Sequence, residues 1–404
     1  MLLPRFAPPR SFHAELKRRT AEYFATTGKA QTGNGALLGK ALLLLGAFIA
    51  LYVHLVFFTP PTVWALVECV ALGTVLALIG FNVMHDGAHG SFSRHGWLNK
   101  VAAFTLNVFG GSSYMWDAKH NTVHHMYTNI DGVDDDLDIR PWMRMTPDQP
   151  RHRAHRFQHL YFGFFYCLLY ISWVFFTDYQ KYFSRKIGSV ALKPMSTSDH
   201  LVFWGFKILN LGLYIALPVY MVGFSAWLGG FLLAGAVAGF VLSIVFQLAH
   251  TVEQAAFPVP HETTRKMEDE WAIHQLRTTA NFATDNRVIS WLVGGLNFQV
   301  EHHLFPKISH VHYPKLSKII RETCAEFNLP YQEYPKMRYA VASHVAFLRQ
   351  MGRAKNFPVA SSAAPVARVP SEPLWRRGDA GHRGRATCVS GNLRLSSAVC
   401  PADA

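Results

Sequence analysis

The chain has 404 residues, half of them hydrophobic and only 16% charged, with a formal charge of +13 and five cysteines. This composition argues against a soluble enzyme and for a membrane protein. The basic residues stand in tails and loops beside apolar runs, which excludes a nucleic-acid platform and favours anionic lipid, and the cysteines lack CxxC spacing, which excludes a disulfide framework or a cysteine zinc site.

Residues 1–35 form a basic lead with Arg5, Arg10, Lys17, Arg18 and Arg19 and no short apolar stretch before a small-residue cleavage site. A cleaved signal peptide is not expected, and the positive-inside tendency predicts a cytoplasmic N-terminus. The apolar runs 41–58 and 62–83 are each long enough to cross a hydrocarbon layer of roughly 30 Å. Only Thr59, Pro60 and Pro61 join them, so they predict a hairpin. Run 101–109 is too short to cross and is expected at the interface. Run 157–177 is rich in Phe and Tyr. If it crossed, Lys181, Arg185, Lys186 and Lys193 would lie outside and the histidine groups described below would fall on two faces, so an interfacial or re-entrant helix is predicted. Runs 201–222 and 227–249, joined by Gly223 to Ala226, predict a second hairpin. Residues 356–404, rich in Ala, Pro, Ser, Arg and Gly without apolar periodicity, predict a disordered tail. The expected fold is an all-α membrane protein: four transmembrane helices in two hairpins, a helical cap on the cytoplasmic side, a core domain over 36–355, and both termini cytoplasmic.

Of 21 histidines, eight stand out by position. His85 and His89 follow the second run at i, i+4 spacing, which places both imidazoles on one helical face. His120 and His124 repeat that spacing, and the adjacent His125 points elsewhere, toward a second metal. Gln299, His302 and His303 share a face at i, i+3 and i+4. His250 ends the fourth run. Histidine near hydrocarbon is costly unless paired or bound, and imidazole is the usual ligand for iron, zinc and copper. The spacings suit helices that contribute ligands to a pair of nearby metals. His54, His95, His152, His155, His159, His261, His274 and His310 lack such spacing and read as solvated or interfacial side chains. Gly110-Gly111 and Gly294-Gly295 read as turns and close packing. Glu68, Lys207 and Asn210 lie inside predicted spans, where they either line a path or pair with one another.

The motifs HDGAH, HNTVHH and QVEHH, in this order and in this placement beside the spans, resemble the three histidine boxes of the integral-membrane fatty acid desaturases. Glutamine at the head of the third box resembles the front-end, linoleoyl-CoA-desaturase-like branch, which acts between an existing double bond and the carboxyl end. Asp134-Asp135-Asp136 with Asp138, Arg156-Phe157-Gln158-His159 and the run from Thr278 to Pro306 agree with it, and the likeness covers residues 35–345. It implies two iron ions held by His85, His89, His120, His124, His125, His250, His302 and His303, with dioxygen as co-substrate. Gln299 stands where relatives use a ligating histidine; a weak ligand, a ligand through water and a hydrogen-bonding residue are the roles open to it. Asp86, Glu301 and the acidic run at 134–138 read either as caps and loop carboxylates or as acceptors that orient imidazoles.

The resemblance implies insertion of a cis double bond into a long-chain acyl lipid, as acyl-CoA or phospholipid. An unactivated methylene has no acidic proton and no electrophilic carbon, so an oxidant must begin the reaction and two electrons must be supplied. No haem or flavin motif is visible, nor the HPGG of a fused cytochrome b5 domain. The expected donor is therefore separate, of ferredoxin or cytochrome b5 type with its reductase. Lys307, Lys315 and Lys318 read as membrane-side anchors or as a docking surface for it. A membrane hydroxylase is the nearest rival. A histidine-rich metal transporter or sensor is a rival of another class, disfavoured because transport places ligands near mid-span.

Overall fold

The computed structural model describes residues 3–354, so the predicted tail at 356–404 lies outside the described residues. The basic lead is folded. Helix α1 (Ser11–Thr27) buries Phe12, Leu16, Thr20 and Phe24 along one stripe, and the stripe packs with Leu276, Leu316 and Ile320 of the cap. Strand Arg5–Ala7 pairs in parallel with Lys266–Glu270 and ties the same segment down.

Asn34 caps the next helix by accepting from the Leu37 amide, and α2 (Gly35–Phe58) and α3 (Thr62–Ala88) form the first hairpin. Then follow α4 (Gly96–Val108), α5 (113–127), α6 (Arg153–Ser184), α7 (Thr197–Val222) and α8 (Phe224–His250). The cap adds α9 (Trp271–Thr278), α10 (Gln299–Leu304), α11 (Tyr313–Glu326) and α12 (Met337–Arg353). A two-residue parallel ladder, Asn281–Phe282 with Glu333–Tyr334, stitches the cap together.

Small residues let the long helices approach closely. Gly230 of α8 faces Cys69 of α3, and a Cβ on Gly73 would lie 2.2 Å from the Ala234 carbonyl oxygen. The paired positions rise together along both helices, so α3 and α8 run parallel and bring their C-terminal ends, with His85 and His250, to the same end of the bundle. Helix α6 runs antiparallel to α8: Ser243 bonds the Tyr166 carbonyl, Gly239 meets the Cys167 carbonyl and Phe175 stacks edge-on to Phe231.

Five helices, α2, α3, α6, α7 and α8, are long and apolar enough to cross a membrane, against the four expected. The difference is α6. Its apolar run 157–177 is extended by helical residues at both ends to 32 residues, which local hydropathy did not reveal. Its exposed Phe157, Leu160, Phe164, Phe176 and Phe183 suit lipid contact. Helix α4, as expected for 101–109, is a short piece that exposes Trp97, Val101 and Phe104 and buries Ala102 and Leu106. Lys207 of α7 is paired with Asp178 of α6 at 3.2 Å and donates to the Gly110 and Val174 carbonyls, while Glu68 pairs with His54 at 2.9 Å.

Candidate metal centre

Three local features aim the histidines. The last turns of α3 before His85 are wound as a π-helix over Gly80–Met84, and α5 is π-wound over Asp117–His124. A π-turn closes i→i+5 hydrogen bonds, so residues at i, i+4 and i+5 lie on one side. His120, His124 and His125 are related in this way. Their rings lie close together, at 5.1 Å between His120 and His124 and 4.8 Å between His120 and His125. Before the third box, Gly294 adopts φ +61°, and a Cβ there would stand 2.5 Å from the Phe81 carbonyl oxygen. Only glycine lets this turn press against the end of α3 and deliver α10 to the first box.

All eight histidines converge and all are buried. Ligand atoms of His85, His89, His120 and His302 lie within 4.8 Å of one another, and so do those of His124, His250 and His303. His125 sits between the two sets, with its ring 4.6 Å from His302 and 4.5 Å from His303. The i, i+4 pair of the second box is thus divided: His120 joins the first set and His124 the second, though the two also approach each other and Asp136. The third box is divided likewise between its adjacent histidines. Gln299 is buried at the first turn of α10.

The outer nitrogens are anchored. His124 Nδ1 donates to Asp134 at 3.0 Å, His303 Nδ1 to Gln275 Oε1 at 2.9 Å, His302 Nδ1 faces the Tyr313 hydroxyl at 3.1 Å, and His250 Nδ1 donates to the Thr278 carbonyl at 3.3 Å. His120 Nδ1 lies 3.5 Å from Asp136, which Lys119 also pairs. Among the described residues, the inner Nε2 atoms of His89, His120, His124, His250, His302 and His303, and both nitrogens of His125, are buried without a hydrogen-bond partner. Orphaned buried nitrogens are costly, and a cluster of lone pairs aimed inward, with the opposite nitrogens held from behind, has the donor chemistry that could hold a metal.

The electrostatics agree. Burial, with neighbouring imidazoles, holds His125, His302 and His303 well below the ordinary histidine range, and burial lowers His120. They are therefore neutral, as ligands must be. At His124 burial also opposes the charged form, but the Asp134 carboxylate outweighs it and the net direction is upward. The same carboxylate favours a cation on the opposite nitrogen.

Of the carboxylates singled out in the sequence, Asp134 and Asp136 reach imidazoles. Asp86 instead accepts from Ser309 Oγ and His310 Nδ1, both at 2.9 Å, and latches the first box to the loop after the third. Glu301 accepts from Asn281 Nδ2 at 2.8 Å and from the Tyr331 hydroxyl at 2.7 Å, and burial pushes its carboxyl up to about 7. His310, read as a solvated side chain, is the partner of Asp86, and His274, read likewise, is buried and donates to the Thr128 carbonyl at 2.8 Å. Sequence reasoning missed Gln275 and Tyr313, which carry no local spacing signal.

The profile of the family described as "Fatty acid desaturase" matches residues 59–335. An sn-1 linoleoyl-lipid 6-desaturase of Synechocystis sp. is 35% identical over 356 residues, covering 87% of this chain and 98% of its own length. The enzyme of the same name from Arthrospira platensis is 34% identical, covering 84% and 92%. An acyl-lipid (8-3)-desaturase of Physcomitrium patens is 32% identical over 84% of this chain and 72% of its own. With the buried histidine cluster and the apolar helices that lead to it, these matches assign the chain to the fatty acid desaturase family, as an oxygen-dependent membrane desaturase of front-end type.

Proposed function

We propose that the protein places a cis double bond in a lipid-bound, already unsaturated long-chain acyl group, on the carboxyl side of an existing double bond. The inward-facing cluster of unpartnered Nε2 atoms carries this reading, and the names of the relatives support the acyl-lipid carrier and a linoleoyl substrate. His85, His89, His120 and His302 would hold one iron, and His124, His250 and His303 the other. His125 would serve at the junction, with Gln299 beside His302 and His303. A bound iron pair supplies, with dioxygen, an oxidant able to take two hydrogen atoms from adjacent methylenes.

The chain's own residues keep the outer imidazole protons in place and keep water out. An apolar hollow lined by Gly80, Met84, Leu106, Phe109 and Trp173 lies just below the first box. Through Tyr170 and Val174 it adjoins a cavity of about 300 Å³ between α6 and α7, and these spaces suit the acyl tail. The two electrons come from a separate ferredoxin or cytochrome b5 type donor, for which the exposed Lys307, Lys315 and Lys318 offer a basic face.

Parity supports four crossings. Helices α3 and α8 end together at the cluster, and both ends of α6 are bonded to that side, Gln158 to Arg144 and Leu348 and Lys181 to Asp135 at 2.7 Å. In this reading α6 is an interfacial or re-entrant helix, and the basic lead, by the positive-inside tendency, puts the N-terminus and the cluster on the cytoplasmic side.

The reading is tested by gas chromatography and mass spectrometry of fatty acids from a host fed linoleate and expressing the chain or His124→Ala. A new olefin on the carboxyl side that is lost in the variant is expected. A hydroxylated product would replace this reading with that of a hydroxylase.

A further inference from the structure

Gln275, in α9, belongs to none of the histidine boxes, yet its fully buried side chain joins two of them. Nε2 donates to the His125 carbonyl at 3.1 Å, and Oε1 faces His303 Nδ1 at 2.9 Å and Thr128 Oγ1 at 3.0 Å. This orientation of the amide is forced. A backbone carbonyl only accepts, so the NH2 group must face His125, and the amide oxygen is left for the imidazole. An amide oxygen also only accepts, so His303 must carry its proton on Nδ1. Its Nε2 then keeps a free lone pair, and this nitrogen is buried without a partner among the ligand atoms of His124 and His250.

We infer that Gln275 is a positioning residue of the metal centre, which selects the Nδ1–H tautomer of His303 and holds its ring in register with His125. The inference rests on the reading that the eight histidines hold two irons. It also draws a contrast within one set: His124 is backed by a carboxylate, Asp134, whereas His303 is backed by a neutral amide. Because Trp271 Nε1 also donates to the His125 carbonyl, at 3.0 Å, and a glutamic acid can face that carbonyl with a protonated oxygen while its other oxygen accepts, Gln275→Glu keeps an acceptor for His303.

The test uses full-length protein in detergent, stripped of metal and reloaded with ferrous iron or with Co(II). Metal per chain is measured by plasma mass spectrometry and the cobalt ligand field by absorption. Gln275→Leu removes the nearer acceptor, leaving His303 Nδ1 only the Thr128 hydroxyl at 3.3 Å, and is expected to lower metal content from two per chain toward one, through about 10–100-fold weaker binding at the set containing His303. Gln275→Glu keeps an acceptor, and is expected to retain both metals with cobalt bands displaced from those of the wild type. If Gln275 merely fills space, both variants lose thermal stability but keep the metal content and cobalt spectrum of the wild type, which overturns the inference. Should Gln275→Leu fail to fold, Gln275→Glu decides alone: displaced bands with two metals support the assignment, and lost metal or an unchanged spectrum overturns it. Wild-type protein that takes up no metal under the same loading sinks the di-iron reading itself, without recourse to either variant.

Discussion

Asp134 is fully enclosed behind His124, and its two oxygens also accept from the backbone amides of Asn129 and Asp136 at 3.0 and 3.1 Å. It therefore fixes both an imidazole and the loop that follows the second box. Asp134→Asn is expected to lower iron retention and desaturation by about 10–100-fold, read as metal per chain and product per hour. His344 illustrates a different use of a buried imidazole. Its Nδ1 donates to the Thr251 carbonyl at 2.7 Å and its Nε2 faces the Tyr166 hydroxyl at 2.9 Å, so the ring fixes the exit of α8 while neutral. Burial lowers its pKa to about 4. The unfolded chain takes up the proton below the ordinary value near 6.5, so this contribution to stability is whole above that pH and is lost as pH falls toward 4. Melting temperature measured against pH should fall less steeply between these limits for His344→Gln than for the wild type. Equal slopes would show that another group governs the acid limb.

Among the elements, α8 is the strut, with α3 on one side and α6 on the other, both at van der Waals approach through glycines. A Cβ on Gly239 would meet the Cys167 and Tyr166 carbonyl oxygens at 2.7 and 2.8 Å, which are backbone atoms and cannot swing away. Gly239→Leu is expected to destabilise the protein by about 1–3 kcal/mol or more, seen as an earlier thermal transition in detergent, and to release α6. The buried pair of Lys207 and Asp178 holds the other part of α6 to α7. Lys207→Met leaves a buried carboxylate without its partner, at a cost of about 3–5 kcal/mol. The double change with Asp178→Leu should recover much of it. Failure of the double variant to recover would mean that the lysine acts mainly through the Gly110 and Val174 carbonyls.

For the whole molecule, the decisive question is on which side of the bilayer each connection lies. With α6 re-entrant, a cysteine at Lys193 and one at Lys307 are expected to react with a membrane-impermeant thiol reagent from the same side, and one at Ala226 from the other, in a background without native cysteines. Labelling of Lys193→Cys from the side of Ala226→Cys would establish α6 as a fifth crossing and separate it from the topology proposed above.

The sequence by itself determined four of the five long helices, the hairpin turns at Thr59–Pro61 and Gly223, and all eight converging histidines, because hydropathy and the spacing of histidines along one helix are local properties. Even His250 was legible, from its place at the end of a span. Tertiary structure decided the rest. The spacing of His120 and His124 suggested one shared metal, and the two do approach each other and Asp136, but the approach of α8 and α10 also brings each beside a different group of histidines. Asp86 read either as a cap carboxylate or as an acceptor for the clustered imidazoles, and the loop carrying Ser309 and His310 arrives from more than two hundred residues away and claims it. Gln275, Tyr313 and the folded lead of α1 gave no sign in the sequence, since an amide, a phenol or an amphipathic stripe acquires its role only from what the fold brings opposite it. Likewise the full length of α6 came from helical residues added at both ends of its apolar run, which hydropathy alone did not mark.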